Sequence, residues 1–156
     1  MTDREIIRHS IAVLAYRGGK PLRGAPASFA SFSTGAGGNT PLVILTHLGD
    51  LMDWALTHVR GEPRWLGATA TSWDEQVARF YASLAALDAY LASDQPIRCD
   101  PGRLLAGPIA DAINHVGQLM MLRRMAGSPV YGENYFVADI VTGRVGPEQS
   151  PPVRPF

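Results

Sequence analysis

Apolar residues recur every three to four positions along four stretches of the chain, the spacing that places them on one face of an α-helix. Polar capping residues mark where the stretches begin, and Ser72 with Glu75 forms the clearest capping box. The pattern predicts four helices, at about residues 3–17, 41–60, 72–93 and 108–125.

Glycine and proline residues mark two of the predicted boundaries. We expect the glycine pair after Arg17, together with Pro21, to end the first helix. We expect Pro108 to begin the fourth helix, after a short turn at residues 104–106.

Four amphipathic helices without a strong strand pattern indicate an all-α fold, an up-and-down four-helix bundle. The chain, residues 1–156, is expected to form one domain, with the bundle at about 3–126 and a tail at about 127–156. A long loop at residues 18–39 is either functional or a flexible connector. In the tail, which is rich in proline and glycine, a short extended run is expected at residues 135–141.

A narrow polar stripe lies on the otherwise apolar fourth helix and consists of Asp111, Asn114, His115 and Gln118. Because Asp111 and His115 are four residues apart, they can offer a carboxylate and an imidazole to one ion. His47, on the apolar face of the second helix, is the third candidate ligand. In an up-and-down bundle the second and fourth helices are parallel. We therefore expect the three ligands to meet at one end, where two positive helix N-termini favour an anion.

The pattern leaves simpler interpretations open. The spacing of the aspartate and histidine also fits an ordinary exposed helical pair, and a lone buried histidine such as His47 is usually a core residue. Gln118 and Asn114 are candidates to orient a ligand or a bound water, although Gln118 fits helix packing equally well. Asp50 lies one turn from His47, near the polar edge of its helix, and is either a general base or a solvated side chain.

Charge and composition argue against several classes of partner. Lys and Arg together number 14, as do Asp and Glu, which gives no electrostatic case for binding nucleic acid or an anionic membrane. The single cysteine, Cys99, rules out an intrachain disulfide and suggests a reducing compartment. The first residues are too polar for a signal peptide, and no apolar run reaches membrane-spanning length, so a cytoplasmic protein is expected.

The segments around the candidate ligands resemble the DinB/YfiT-like superfamily of metalloproteins, which is similar to mycothiol-dependent maleylpyruvate isomerase. The segment TPLVILTHLGDLMDW carries His47, and DAINHVGQLMMLRRMAGSP carries Asp111, three residues and then His115 followed by x-Gly-Gln. The resemblance covers residues 3–126 and leaves out the tail after Pro129. It implies a bundle, often a homodimer, with three protein ligands to a divalent metal. Asp111 stands where a second histidine is commoner, although the isomerase relatives carry a carboxylate there.

Two imidazoles and one carboxylate suit catalytic zinc or iron(II), and nickel and manganese remain open. The expected function is metal-dependent hydrolysis, or transfer or isomerisation with a low-molecular-weight thiol, acting on a small molecule. The alternative is a non-catalytic dimeric binding module with a structural or empty metal site. The tail residues Tyr131, Glu133 and Tyr135 either close over the site or pack as an ordinary tail.

Overall fold

The computed structural model describes residues 1–35 and 37–156 and is all-helical in that part of the chain. The helices are α1 (Asp3–Leu22), a 3₁₀ helix (Ala27–Ser31), α2 (Pro41–Val59), α3 (Trp73–Ala92), α4 (Pro101–Leu104), a π-helical segment (Leu105–Ile109) and α5 (Ala110–Met125). The predicted start of α3 is confirmed, because the side chains of Ser72 and Glu75 each accept a hydrogen bond from the other residue's backbone. The prediction of an all-α bundle is therefore confirmed.

The first helix is longer than its sequence predicts and continues past Arg17 to Leu22. Its glycines serve packing, since a Cβ at Gly18 would lie 2.9 Å from Cζ of Phe80. Pro21 lies in the last turn, where it removes only one helical hydrogen bond. The connection to α2 is correspondingly shorter than predicted, and buried Phe29 attaches it to the core.

The last helix begins earlier than predicted, at Pro101, with the Asp100 side chain accepting a hydrogen bond from the Gly102 N–H. The helix continues without a break through the π-helical segment into α5. Pro108 therefore lies inside the helix, where the wider π-helical turn accommodates a residue that has no N–H. As a result, Asp111 lies about three turns into this helix instead of in its first turn.

Helices α2 and α3 run parallel. Arg79 of α3 contacts Asp50 in the first half of α2, and Arg60 after α2 lies over the ring of Tyr90 near the end of α3. Residues 60–72 return the chain along α2. The 19 residues of α2 are about 28 Å long, a distance that about a dozen extended residues can cover.

Helix α2 and the last helix run antiparallel. The end of α2 meets the start of α4, where the Arg98 N–H donates to the Val59 carbonyl at 3.0 Å. Near the start of α2, His47 meets Asp111 of α5. The predicted parallel arrangement of these helices is wrong. Residues 60–72 carry the chain back along α2, so α3 runs parallel to α2 and the last helix runs antiparallel to it.

Helix α1 is antiparallel to α3, since Arg8 pairs with Asp88 near the end of α3 whereas Gly18 lies against Phe80 near its start. The four long helices therefore run up, down, down and up, and the up-and-down prediction is wrong. Helix α3 packs its apolar face into the core, with four fully buried residues, Phe80, Leu84, Leu87 and Leu91.

The tail packs against α1. Glu133 and Val145 are buried, and residues 135–137 form a turn, so the predicted extended run is wrong. Within the described residues the tail has one isolated β-bridge, between Glu133 and Pro155. No helix in the described part of the chain combines the length and apolarity needed to cross a membrane.

Candidate metal centre

Three predicted ligands come together between α2 and α5. His47 contributes Nε2 from the second turn of α2, and Asp111 and His115 contribute one oxygen and one nitrogen from the first two turns of α5. The ligand atoms all lie within 4.8 Å of one another. The predicted convergence is confirmed, although it joins antiparallel helices along the side of the bundle.

The carboxylate of Asp111 lies between the two imidazoles. Its Oδ2 is 3.5 Å from Nε2 of His47, and its Oδ1 is 3.5 Å from Nε2 of His115. A metal bound at about 2.0–2.2 Å separates its ligand atoms by roughly 3.0–3.5 Å. The donor types and the two 3.5 Å separations, which involve different oxygens of Asp111, suit a small divalent ion, and the wider separations in the set, up to 4.8 Å, must shorten when an ion binds.

The electrostatic setting differs from the predicted one. The first turn of α5 is not a free helix N-terminus, because the Ala110 N–H donates to carbonyls of the π-helical segment at Leu105 and Gly107. Of the second and last helices, α2 alone has its N-terminus near the site, so the expectation that both present positive ends there is wrong.

Gln118 lies where the sequence predicts a positioning residue. Its Oε1 is 2.8 Å from Nδ1 of His115. In this contact the amide oxygen accepts from Nδ1, which in the neutral imidazole leaves the lone pair on Nε2, the atom that faces Asp111. Asn114 is exposed and makes no side-chain hydrogen bond to the described residues, so the structure does not bring it into the site.

Asp50 lies beside the site but is already paired. It is buried, and its Oδ1 accepts hydrogen bonds from Nη2 of Arg79 at 2.6 Å and from the Ala68 N–H at 2.9 Å. The prediction that Asp50 lies near a polar edge is wrong, because α3 and residues 60–72 cover that face of α2.

Arg79, the partner of Asp50, stays positively charged. Burial alone would lower the pKa of Arg79, but hydrogen bonds to Asp50 and Asp53 raise it above its ordinary value. A carboxylate held by a permanent cation is a poor general base.

Residues 60–72 contribute a side chain to the metal centre that the sequence pattern does not predict. Trp65 of this connection packs against the ring of His47, with centroids 5.6 Å apart, and against Trp54 at 5.7 Å. Its indole is half-exposed. The available signal was a tryptophan–leucine pair isolated in a stretch rich in proline and glycine, where an apolar pair has no helical face to join.

The imidazoles open into a cleft of about 320 Å³, lined in part by Asn39, Val43, Asp50, Ala68 and Ala70. Among the described residues of the connection before α2, Asn39 lines this cleft, whereas Cys99, Asp100 and Arg103 border a different cavity. The cleft is large enough for a small substrate beside the ion.

Two other candidates lie away from the ligands. Glu133 is bound to Tyr16 and Lys20 of α1, so this part of the tail packs on the bundle instead of closing over the site. Cys99 is partly buried. Burial, and to a smaller extent the negative charge of Asp100, raise the pKa of its thiol, so it is less reactive than a free thiol.

Comparisons with known proteins identify no relative: no protein-family model, no curated protein and no solved structure matches the chain significantly. The resemblance to DinB-like proteins stays a prediction from the motif. The support for a metal centre is the geometry of its three ligands.

Proposed function

We propose that this protein binds one divalent metal ion through His47, Asp111 and His115 and acts as a metal-dependent enzyme on a small molecule. The observation that carries the proposal is the carboxylate of Asp111 lying 3.5 Å from each imidazole. Zinc, iron(II) and nickel suit this donor set. The motif resemblance supports membership of the DinB/YfiT-like superfamily.

The reaction is hydrolysis, or transfer or isomerisation with a low-molecular-weight thiol. A bound divalent ion supplies Lewis-acid activation, which lowers the pKa of a bound water or thiol. The protein contributes orientation: Gln118 fixes the proton of His115 on Nδ1, and Trp65 covers one side of His47. A cytoplasmic homodimer is part of the proposal, and it comes from composition and from the resemblance.

A non-catalytic dimeric binding module is the second candidate. The observation that favours it is the pairing of Asp50 with Arg79, which leaves no free carboxylate near the ligands in the described part of the chain to act as a general base. In that case the metal site is structural or empty. Turnover of ester, amide or thiol-transfer substrates that depends on the metal would exclude this function.

The metal site is tested by loading the purified protein separately with zinc, iron(II), nickel and manganese and measuring the bound metal by mass spectrometry. We expect about one ion per chain, and metal affinity reduced about 1,000-fold in His47→Ala and in His115→Ala, since each ligand of a zinc site contributes several kcal/mol.

The matched control is His58→Ala, which removes another half-buried histidine from the same helix. It should leave metal content unchanged. Wild-type affinity in His47→Ala, or equal loss in His58→Ala, would show that the three-ligand site is wrong.

A further inference from the structure

A second cavity lies further along the same two helices. It has a volume of about 460 Å³ and lies between the end of α2 and the segment from α4 into the π-helical residues. Trp54 and His58 border it on the α2 side, and Leu104, Gly107 and Pro108 border it on the other. The volume of the cavity is that of an ordinary small-molecule site.

The walls of this cavity are held in place. The Arg98 N–H donates to the Val59 carbonyl, which fixes the chain that leads into Cys99, another residue that borders the cavity. Trp54 and His58 stack edge to face with ring centroids 4.8 Å apart. A preformed pocket of this kind binds a ligand without first ordering a loop.

The cavity is adjacent to the metal centre. Trp54 follows His47 by seven residues on the same side of α2, a rise of about 10 Å, and Gly107 precedes Asp111 by about one turn. Trp65 packs against both His47 and Trp54 and so spans the distance between the two sites. A small molecule about 10 Å long that passes the indole of Trp65 would extend from the cavity to the ligands.

The surface chemistry of the cavity selects its ligand. Most of its wall is aromatic or aliphatic, which favours an apolar body. Asp100 and Arg103 are the charged residues that border the cavity: Asp100 accepts a hydrogen bond from the Gly102 N–H, whereas the exposed guanidinium of Arg103 forms no salt bridge or hydrogen bond with the described residues. A cation without a partner beside an apolar wall complements a ligand with an acidic group.

We propose that this cavity binds the apolar body of the substrate, a small aryl or short alkyl compound whose acidic group lies at Arg103 while its reactive group reaches the metal ligands. The link to the metal rests on the proposed function. The existence of the binding pocket does not, because it depends only on the walls of the cavity.

The pocket is tested first in metal-free protein with anilinonaphthalenesulfonate, a fluorescent aryl compound that carries one acidic group. We expect one molecule per chain. Gly107→Leu fills the cavity, since a Cβ at Gly107 meets no other atom within 4 Å, and should weaken binding at least about tenfold. Arg103→Gln, at an exposed position, should weaken binding about threefold.

Ala106→Leu is the matched control, because it adds similar bulk to an exposed position of the same π-helical segment. It should bind the dye as wild type does. Absence of saturable binding by wild type, or unchanged binding in both Gly107→Leu and Arg103→Gln, would overturn the pocket. If Gly107→Leu loses its helical circular dichroism, Arg103→Gln decides alone.

The link to the metal is tested in zinc-loaded protein with two chelators, acetohydroxamate and phenylbutyrohydroxamate. Burial of the phenyl group should tighten binding at least about tenfold in wild type and in Ala106→Leu, and this gain should be lost in Gly107→Leu. Equal affinity of the two chelators for wild type would overturn the link. If the protein binds none of zinc, iron(II), nickel and manganese, the proposed function fails while the dye experiment still decides the pocket.

Discussion

Two carboxylates in this molecule each lie between two side chains of other residues, and they differ in how much of the carboxylate is exposed to solvent. In the metal centre Asp111 lies between His47 and His115, with 48% of its side chain exposed. In the tail anchor, which consists of Tyr16, Lys20 and Glu133, the side chain of the glutamate is 0% exposed.

In the tail anchor, one oxygen of Glu133 has two partners, whereas Oε2 is buried without a hydrogen-bond partner among the described residues. Oε1 of Glu133 accepts from the Tyr16 hydroxyl at 2.7 Å and lies 2.6 Å from Nζ of Lys20. Burial alone would raise the pKa of Glu133, but the hydrogen bonds from Lys20 and Tyr16 lower it below its ordinary value. Burial and the same carboxylate raise the pKa of Tyr16. The anchor therefore attaches the tail to α1.

In the metal centre, neither histidine holds the carboxylate of Asp111 closely. The separations of 3.5 Å between Asp111 and the imidazoles exceed those of a good hydrogen bond, so the carboxylate is not tightly held by either histidine. Its exposed oxygens remain available to an ion. Oε2 of Glu133 also lacks a partner but is shielded from solvent, so exposure to solvent, more than residue type, distinguishes the candidate binding site from the structural contact.

The largest effect on stability is expected for Glu133→Gln, which leaves Lys20 partly buried without its counter-ion. The free energy of unfolding at pH 7 should fall by about 3 kcal/mol, measured by urea denaturation. Metal affinity should not change. The exposed tail residue Glu148, changed to Gln, is the control, and an equal loss there would show that the anchor has no special role.

The same variant has a defined pH dependence. Because the pKa of Glu133 is lower in the folded than in the unfolded state, its stabilisation is complete above about pH 5 and is lost as the pH falls below the ordinary value near 4.3. The difference in stability between wild type and Glu133→Gln should narrow on acidification. A constant difference down to about pH 3 would contradict this assignment.

A smaller effect is expected for Gln118→Ala, which frees Nδ1 of His115 and leaves its tautomer unfixed. Metal affinity should fall about 10- to 100-fold by competition titration with a chelator. Asn114→Ala, which changes an exposed amide on the same helix, should stay within about twofold of wild type. Equal losses of metal affinity in the two variants would show that Gln118 does not position His115.

The smallest effect is expected for the stability of metal-free Asp111→Asn. Since this side chain is half-exposed, the free energy of unfolding should change by less than about 0.5 kcal/mol. Thermal and urea unfolding without metal measure it. A loss above about 2 kcal/mol would mean that Asp111 is a structural contact like Glu133.

Local chemistry allowed most helix positions to be predicted. The capping box at Ser72 and the cap at Thr40 are satisfied within one turn, so their signal does not depend on the rest of the chain. Pro21 and Pro108 misled the prediction because tertiary packing and a π-helical turn compensate for what a proline removes.

Spacing along a single helix was enough to predict the four long helices, their apolar faces and the pairing of Asp111 with His115, because each is a local property of the chain. Three features follow instead from packing between elements: α2 and α3 run parallel, Asp50 pairs with Arg79, and Trp65 lies beside His47. These features depend on the path of residues 60–72, a stretch without periodicity. Its course is fixed by contacts with distant helices, which no local pattern records.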